Sequence, residues 1–403
     1  MKALTSCALF GATRVLAGIT DAIILQHSVA GCNYGTLSFR YPTRMNNIRQ
    51  ASTIVYEENV ICGGAEILAK GLHEADTLYK NIKTVFVISG CVPNLIGDDI
   101  EGIIADNPIN KKVIHVSAPG YSGTMEEGSE VALVALAKLV KEQPRFTEPS
   151  VNIFGIFPDD PEALGDMLAL EDAFGGKVAV NFNTCFSSMN DIEDMGRVHL
   201  NICLGCGEAL ARELQNKFGT EYICCDYPYG INGMVEFLTI VGEKLGIGFQ
   251  KEIARLNFQG EELARRAVDY LENIYQLPAM LVVDRVRFSG LKKFLQEELG
   301  MYVTFAKTTE QTDLNELMEE VSKNVPALIC ASSFVSDLAR ERQVPLLRIA
   351  YPVVDEVSLN YTGYLGARGF AHLLEKIINA SLQMDYKKNS LFPHIRKECT
   401  DEY

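Results

Sequence analysis

Short runs of apolar residues alternate along this chain with longer stretches in which apolar residues recur every three or four positions. The short runs predict buried strands, and the longer stretches predict amphipathic helices. Strands that alternate with helices form parallel sheets with right-handed crossovers, covered by helices on both faces. The predicted strands are Ala22–Gln26, Thr84–Ser89, Lys112–Ser117, Val151–Phe157, Lys177–Phe182, His199–Leu204, Glu221–Cys225, Ala279–Val283, Tyr302–Ala306, Ala327–Cys330 and Leu346–Ala350.

Helical patterns fill most of the intervals between these strands. The stretch Met234–Tyr275 is helical almost throughout and is interrupted at Gly246 and Gly248, so we expect two helices there that bridge neighbouring domains. The other predicted helices are Glu126–Lys141, Pro161–Phe174, Glu208–Phe218, Leu291–Leu299, Leu314–Ser322 and Arg368–Leu382.

Two breaks in the pattern indicate domain boundaries. One is the polar stretch Glu142–Ser150, which contains two prolines, and the other lies around Leu277–Pro278. We therefore predict an α/β protein of three Rossmann-like parallel-sheet domains around a central cleft. Their expected bounds are 1–145, 146–275 and 276–403, with the long helical bridge in the second domain.

The charge balance excludes several classes of partner. The formal net charge is −15 at pH 7, whereas nucleic acid and anionic membranes require a basic surface. No apolar run approaches the roughly 18 to 20 residues of a membrane span. The start, Met1–Ser6, lacks the layout of a signal peptide, so we expect the protein in the cytoplasm.

The chain contains 11 cysteines, a raised number for a protein expected in a reducing compartment. Disulfides are rare there, so the thiols are either metal ligands or buried apolar side chains. Ligands of open α/β sheets lie beyond the carboxyl ends of the strands. Cys91, Cys185, Cys206 and the pair Cys224–Cys225 all stand at or just after predicted strand ends.

Three cysteines near the start lie in turns of small residues. They are Cys7, Cys32 and Cys91, each directly preceded by a serine or a glycine. Small neighbours leave room for the sulfides of an iron–sulfur cluster and expose backbone N–H donors to them. The wide spacing of the three residues is unlike a compact ferredoxin motif, so the residues alone leave both a cluster and plain buried thiols open.

Four short segments resemble motifs of one protein family, in that family's order. Cys91–Asp99 is similar to its C-x-x-x-x-I-G-D-D stretch, which is the most specific of the four. His27–Cys32 resembles H-G-x-x-G-C with Ser28 in place of a glycine, Glu58–Gly64 resembles E-x-x-V-F-G-G, and Ala118–Gly123 resembles T-P-x-F-x-G. The family is nitrogenase component 1, comprising molybdenum–iron protein subunits, cofactor-assembly scaffolds and dark-operative tetrapyrrole reductases. Leu200–Gly230 and Val344–Leu382 extend the resemblance to nearly the whole chain.

The resemblance implies an iron–sulfur cluster at a subunit interface, with Cys7, Cys32 and Cys91 as its iron ligands. The cluster is either a [4Fe-4S] with a fourth outside ligand or a P-cluster-like [8Fe-7S] shared by two chains. The implied partners are a second component 1 subunit, either an α-type chain or another copy, and an iron-protein-like reductase. Because the chain has no G-x-x-x-x-G-K-[ST] motif, ATP hydrolysis is expected in that reductase.

The type of subunit is less clearly marked. Val344–Pro352 and Gly363–Gly369 resemble β-type segments, and a histidine ligand of the α-type cofactor is missing there, so a β-type subunit is favoured. Cys203 and Cys206 remain a possible second metal site for a further metallocluster, against the alternative of two buried thiols. Cys224 and Cys225 point to opposite faces of a strand and are expected to pack in the core.

The leading hypothesis is an oxidoreductase subunit that receives electrons through the interface cluster and supports a reductive reaction. A non-catalytic scaffold for metallocluster assembly is the first alternative, and a small-molecule-binding protein without a cluster is the second. The sequence names neither the substrate nor any catalytic residue. Asp98 and Asp99 are expected to cap helix N-termini rather than to take part in catalysis.

Overall fold

The computed structural model describes residues 4–38, 49–358 and 362–388, and it contains three parallel sheets of four strands each. Sheet 1 has the order β2-β1-β3-β4, sheet 2 the order β6-β5-β7-β8, and sheet 3 the order β10-β9-β11-β12. The strands are β1 (Ala22–His27), β2 (Gln50–Ser52), β3 (Thr84–Ser89), β4 (Lys112–Ser117), β5 (Ser150–Phe154), β6 (Ala179–Asn181), β7 (Leu200–Leu204), β8 (Glu221–Cys225), β9 (Pro278–Val283), β10 (Tyr302–Thr308), β11 (Leu328–Ala331) and β12 (Leu346–Arg348).

Helices cover the faces of the sheets, as parallel strands require. They are α1 (Ala8–Ala17), α2 (Ala30–Ser38), α3 (Glu57–Cys62), α4 (Ala65–Leu78), α5 (Cys91–Ile96), α6 (Ile100–Asp106), α7 (Met125–Leu136), α8 (Ala163–Ala173), α9 (Met189–Glu193), α10 (Glu208–Phe218), α11 (Gly230–Leu245), α12 (Gln250–Ile274), α13 (Arg285–Lys293), α14 (Leu314–Lys323), α15 (Ser336–Glu341) and α16 (Gly366–Lys388).

The predicted fold class is confirmed, and each predicted strand is present. Thr84–Ser89, Lys112–Ser117 and Glu221–Cys225 have the predicted bounds, and the others shift by a few residues. The sequence analysis missed β2, because its three polar or small residues form only an edge strand beside β1 and carry no apolar pattern. The helical bridge is interrupted as expected, since Gly246 has a φ of 68° and ends α11.

The strands of each sheet fall within one of the three expected sequence ranges. Contacts nevertheless cross those ranges at both ends of the chain. Helix α16 packs against α8, α11 and α12, and Leu4 is buried among the side chains of sheet 3. The predicted bounds at 145 and 275 therefore remain predictions, because the terminal segments join neighbouring units.

The predicted helix Leu291–Leu299 begins earlier than expected. Helix α13 starts at Arg285, because the Asp284 side chain accepts a hydrogen bond from the Arg287 N–H and caps the first turn. The chain then continues through a π-helical turn, Phe294–Glu298. The apolar periodicity predicted only the second half of this helical segment, because its charged first turn carries no apolar pattern.

Two buried arginines join the three sheets. Arg14 on α1 meets Asp159 at 2.6 Å and also contacts Asp160, both in the loop after β5. Arg287 on α13 lies 2.7 Å from Asp160 and 2.9 Å from Glu162, and it lies 2.8 Å from Asp284 of its own segment. We call these residues the central ion network.

Replacing Arg287 with leucine tests the central ion network. The change leaves Asp160, Glu162 and Asp284 buried without their shared cation, and breaking a buried ion pair costs about 3–5 kcal/mol. We expect the free energy of unfolding in chemical denaturant to fall by that order. Arg340→Leu is the matched control, because Arg340 and Asp337 are 77% and 92% exposed. Equal stability of the two variants would contradict this assignment.

Candidate functional site

Two of the three predicted ligand cysteines stand at the switch point of sheet 1. Strands β1 and β3 are neighbours in parallel register up to His27 and Ser89. From β1 the chain crosses over to β2 on one side, and from β3 it crosses over to β4 on the other side. The carboxyl ends of such strands form the crevice in which ligands of open sheets bind. Cys32 lies in the first turn of α2 after β1, and Cys91 begins α5 after β3.

Cys7 reaches the same crevice from the N-terminal segment. It is the N-cap residue of α1 and forms an isolated antiparallel bridge with Thr124. The N–H of Ala8 also donates to the carbonyl of Gly123 at 3.1 Å. These bonds hold Cys7 beside the loop that follows β4, which closes one side of the crevice.

Gly120, in that loop, shows how close the sulfurs lie. Its N–H donates to Cys91 Sγ at 3.0 Å. A methyl group on Gly120 would lie 2.9 Å from Cys7 Sγ and 3.2 Å from Cys91 Sγ. Burial raises the pKa of the Cys32 thiol, and the sulfurs of Cys91 and Cys7 raise it further. The structure thus brings the three predicted cysteines together, in a space that only glycine leaves open.

The donor set suits an iron–sulfur cluster better than a single metal ion. Within the described parts of the chain, no group of three His, Cys, Asp or Glu side chains is close enough to hold one ion. Cluster thiolates bind separate irons and are therefore spread more widely than the ligands of one ion. Half-exposed thiols with a backbone N–H aimed at one sulfur fit that group, because such hydrogen bonds stabilise cluster sulfur.

A buried hydrogen-bond network braces the turns that carry Cys32 and Cys91. His27 Nδ1 lies 2.7 Å from Thr53 Oγ1, and its Nε2 lies 3.4 Å from Asp98 Oδ2. Asp98 also accepts from the Gly64 N–H at 3.0 Å. Burial lowers the pKa of His27 despite Asp98, so a neutral ring bridges the segments. The backbone carbonyl of His27 accepts from the Gly90 N–H at 2.9 Å, which ties the two turns together.

Asp98 and Asp99 were both expected to cap helix N-termini, and the expectation is confirmed for Asp99. Asp99 caps α6 by accepting from the Gly102 N–H at 3.0 Å. Asp98 does not cap the helix beside it but reaches across to Gly64 and His27. The sequence could not show this, because Gly64 and Asp98 come together only through the packing of the α3–α4 turn on α5.

Exposed apolar side chains stand on the helices that carry Cys32 and Cys91, on α3, which packs against α5, and next to Gly120. Ile61 is 85% exposed and Leu95 is 70% exposed, which is unusual for large aliphatic residues in a folded chain. Val92, beside Cys91, is half-buried. We define the apolar rim as Tyr34, Leu37, Tyr56, Val60, Ile61, Leu95 and Tyr121, all of which are exposed.

A second group of thiols lies at the switch point of sheet 2. Cys203 is near the end of β7, Cys206 follows it, and Cys224 on β8 is the register partner of Cys203. Together they line a cavity of about 410 Å³, which Glu130 on α7 and Arg285 on α13 also line. The cavity therefore draws side chains from all three predicted domains.

Glu130 is the residue of this cavity that the sequence analysis missed. Its Oε1 accepts from the Gly207 N–H at 2.7 Å, while its buried Oε2 has no hydrogen-bond partner among the described residues. Burial raises its pKa. A glutamate on an amphipathic helix is expected to face solvent. Glu130 lines the cavity only because α7 packs on α10, which the sequence does not show.

The expectations for the remaining cysteines meet different outcomes. Cys224 was expected in the core and is exposed instead, because β8 is the edge strand of sheet 2. Cys185 and Cys330 are buried, as apolar packing requires, and Cys62 is an exposed thiol at the end of α3. Cys399 lies outside the described residues.

The family follows from comparison with known proteins. A family model described as nitrogenase component 1 type oxidoreductase matches residues 7–382. The chain belongs to this family. The solved structure "Nitrogenase Cp1 at pH 6.5" matches with a TM-score of 0.85 at 18% identity, over 98% of this chain and 95% of that one. At that identity the likeness shows the shared fold alone.

Curated relatives come from two branches of the family. The nitrogenase molybdenum–iron protein alpha chain of Methanothermobacter marburgensis is 28% identical over 91% of this chain and 85% of its own length. The nitrogenase iron–molybdenum cofactor biosynthesis protein NifE of Clostridium pasteurianum is 27% identical over 79% of this chain and 71% of its own length. The preference for a β-type subunit finds no support in these two relatives. In the described residues, no helix has the length and apolar character needed to cross a bilayer.

Replacing Gly120 with alanine tests the space between the thiols. The added methyl would meet Cys7 Sγ at 2.9 Å, so we expect less iron per chain in anaerobically prepared protein, with the fold retained. Gly31→Ala is the matched control, because a methyl there meets nothing within 4 Å although Cys32 is its neighbour. If both variants hold as much iron as the unmodified protein, the cluster lies elsewhere.

Proposed function

We propose that this chain is a cluster-carrying subunit of a nitrogenase-like oxidoreductase. Cys7, Cys32 and Cys91 hold an iron–sulfur cluster, which accepts electrons from an ATP-dependent iron-protein-like reductase and supports a reductive reaction. The observation that carries the proposal is the convergence of the three thiols around Gly120. Family membership supports it, because Cys32 and Cys91 belong to segments through which the chain resembles the family, and the match to the family model begins at Cys7.

The cluster supplies one-electron chemistry when it is bound, and this chain's residues fix its position and surroundings. The Gly120 N–H donates to Cys91 Sγ, and such a bond favours the reduced, more negative state of a cluster. The neutral His27 ring holds the Cys32 and Cys91 turns in place without adding charge next to the sulfurs. The thiols themselves are half-buried, which leaves one side of the site open.

The open side is where a second chain would complete the site. Three thiolates cannot complete the coordination of four irons, so the site needs another chain or an outside ligand. The apolar rim around the thiols supplies a surface suited to such a chain, since exposed apolar patches of this kind mark protein interfaces. The second chain is either another copy of this protein or a homologous α-type subunit.

The cavity of Cys203 and Cys206 is the second part of the proposal. Its thiols offer soft ligands for a further metallocluster, and Glu130 Oε2, which has no partner in the described part of the chain, leaves a buried acceptor for whatever the cavity holds. Such an atom costs about 1–3 kcal/mol if it stays unpaired, so a built site explains it better than packing does.

A non-catalytic role in metallocluster assembly is the competing function. The similarity to NifE, whose name describes cofactor biosynthesis, favours it. So does the exposure of Cys224 at the cavity rim, because a transiently bound cluster must enter and leave. Turnover with a reductase partner separates the two functions, since a scaffold binds and releases a cluster without reducing a substrate.

Anaerobic purification with iron and sulfide analysis tests the cluster, together with electron paramagnetic resonance of the dithionite-reduced protein. We expect a cluster signal that Cys91→Ala abolishes, because that variant loses one of the three thiolates. Cys62→Ser is the control, since Cys62 is an exposed thiol on α3 and should leave the signal intact. A protein without iron would favour the small-molecule-binding alternative, and iron loss in Cys62→Ser would identify Cys62 as the fourth ligand.

Light scattering after size exclusion tests the assembly. We expect the anaerobic protein to be a dimer or a larger oligomer, and Leu95→Glu to shift it toward monomers that lose iron, because a charge then lies in the apolar rim. Phe258→Glu is the control, since Phe258 is 61% exposed on α12, away from the thiols. A monomer that keeps four irons would mean that the chain supplies all the ligands itself.

A further inference from the structure

Cys203 and Cys224 form a thiol pair across two neighbouring strands. They are register partners of β7 and β8, which run parallel, so both side chains point to the same face of sheet 2. Neighbouring strands lie about 4.8 Å apart, within the range of about 4.4–6.8 Å between the Cα atoms of a disulfide. Both residues also line the same cavity of about 410 Å³.

We propose that Cys203 and Cys224 are a redox-active pair that a small-molecule disulfide converts into an intrachain disulfide. The inference rests on the strand register and on the cavity that gives a reagent access to the pair. It is independent of the cluster proposed at Cys7, Cys32 and Cys91, and it concerns the metal-free state of the cavity that Cys203 and Cys224 line. Cys225 is excluded from the pair, because consecutive residues of a strand point to opposite faces.

The different exposure of the two residues sets the order of events. Cys224 is exposed and lines both the 410 Å³ cavity and a neighbouring cavity of about 360 Å³. Cys203 is only 1% exposed. Since an incoming disulfide reaches the exposed thiol first, Cys224 reacts with it and Cys203 resolves the product.

The atoms and electrons balance over two exchanges. The Cys224 thiolate attacks one sulfur of the reagent, the reagent's S–S bond breaks, and its other half leaves as a thiolate. The sulfur of Cys203 then attacks Cys224 Sγ, the second half of the reagent departs, and the Cys203 proton ends on it. Two protein thiols are oxidised, and one small disulfide is reduced to two thiols.

The disulfide should be reversible rather than structural. Parallel strands keep the two Cβ atoms near the strand spacing of about 4.8 Å, whereas a relaxed disulfide has them about 3.8 Å apart. Closing the bond therefore strains the end of β8, and strained disulfides have more oxidising potentials and are reduced more readily. As an edge strand, β8 can move more easily than the central β7.

Peptide mapping distinguishes the possible disulfides. Trypsin separates residues 198–212, which contain Cys203 and Cys206, from residues 218–244, which contain Cys224 and Cys225. The full-length protein is treated anaerobically with an iron chelator and then with oxidised glutathione. We expect a disulfide that links the two peptides, in the unmodified protein and in both Cys206→Ser and Cys225→Ser. A bond confined to 198–212, or a glutathione adduct that persists on Cys224, would overturn the proposal.

Two further variants test the order of attack. Cys203→Ser should stop at a glutathione adduct on Cys224, because no thiol remains to displace it. Cys224→Ser should give no linked peptides. Because residue 224 is exposed, we expect this variant to fold normally, so misfolding would not explain that result. An adduct on Cys203 in the Cys224→Ser variant, formed as fast as the adduct on Cys224, would contradict the assigned roles. Omitting the chelator shows separately whether a bound metal protects the pair.

Discussion

Two buried guanidinium groups, those of Arg14 and Arg287, hold the three sheets in one arrangement. Each is almost fully buried and is surrounded by carboxylates from other parts of the chain. Because a buried ion without its partner is very costly, the sheets cannot separate or slide without breaking these pairs. The carboxylates outnumber the arginines, and burial raises the pKa of Glu162 to about 7, so this group readily takes up a proton that eases the excess negative charge.

The central ion network also fixes both thiol sites. Arg14 stands on α1 and is held by Asp159 and Asp160. The N-cap of that helix is Cys7, so the network sets how far Cys7 reaches into the crevice of sheet 1. On the other side, Asp284 anchors the first turn of α13, whose Arg285 lines the cavity of Cys203 and Cys206. A carboxylate nearby, Asp166, accepts from the Tyr364 and Leu365 N–H groups at 2.6 Å and 3.0 Å and fixes the start of α16. Stability and site geometry therefore rest on the same few buried charges.

The sequence predicted the sheets well because central parallel strands are apolar on both faces, and such runs are visible without knowledge of the fold. It missed β2, whose polar edge position leaves no pattern. The grouping of Cys7, Cys32 and Cys91 was predicted from the family resemblance and not from their spacing. Spacing could not show it, since only the packing of α1 on α7 brings Cys7 to the other two. The sequence analysis did not place Glu130 and Cys224 at the cavity. A glutamate on an amphipathic helix suggests a solvated face, and a cysteine in an apolar strand suggests a packed core.

The three sheets share one strand order, and they differ in what stands at the switch point. In sheet 1 the crevice carries half-exposed thiols beneath exposed apolar residues, an arrangement suited to a group reached from another protein. In sheet 2 the thiols border a cavity walled by residues from all three units, and the exposed Cys224 at its rim leaves it open to small reagents. In sheet 3 the strand ends carry Asp284 and Ser332, both buried, and Asp284 belongs to the central ion network. The same fold thus forms a thiol-lined crevice twice, and its third copy supplies part of the anchor that holds the two crevices at a fixed distance.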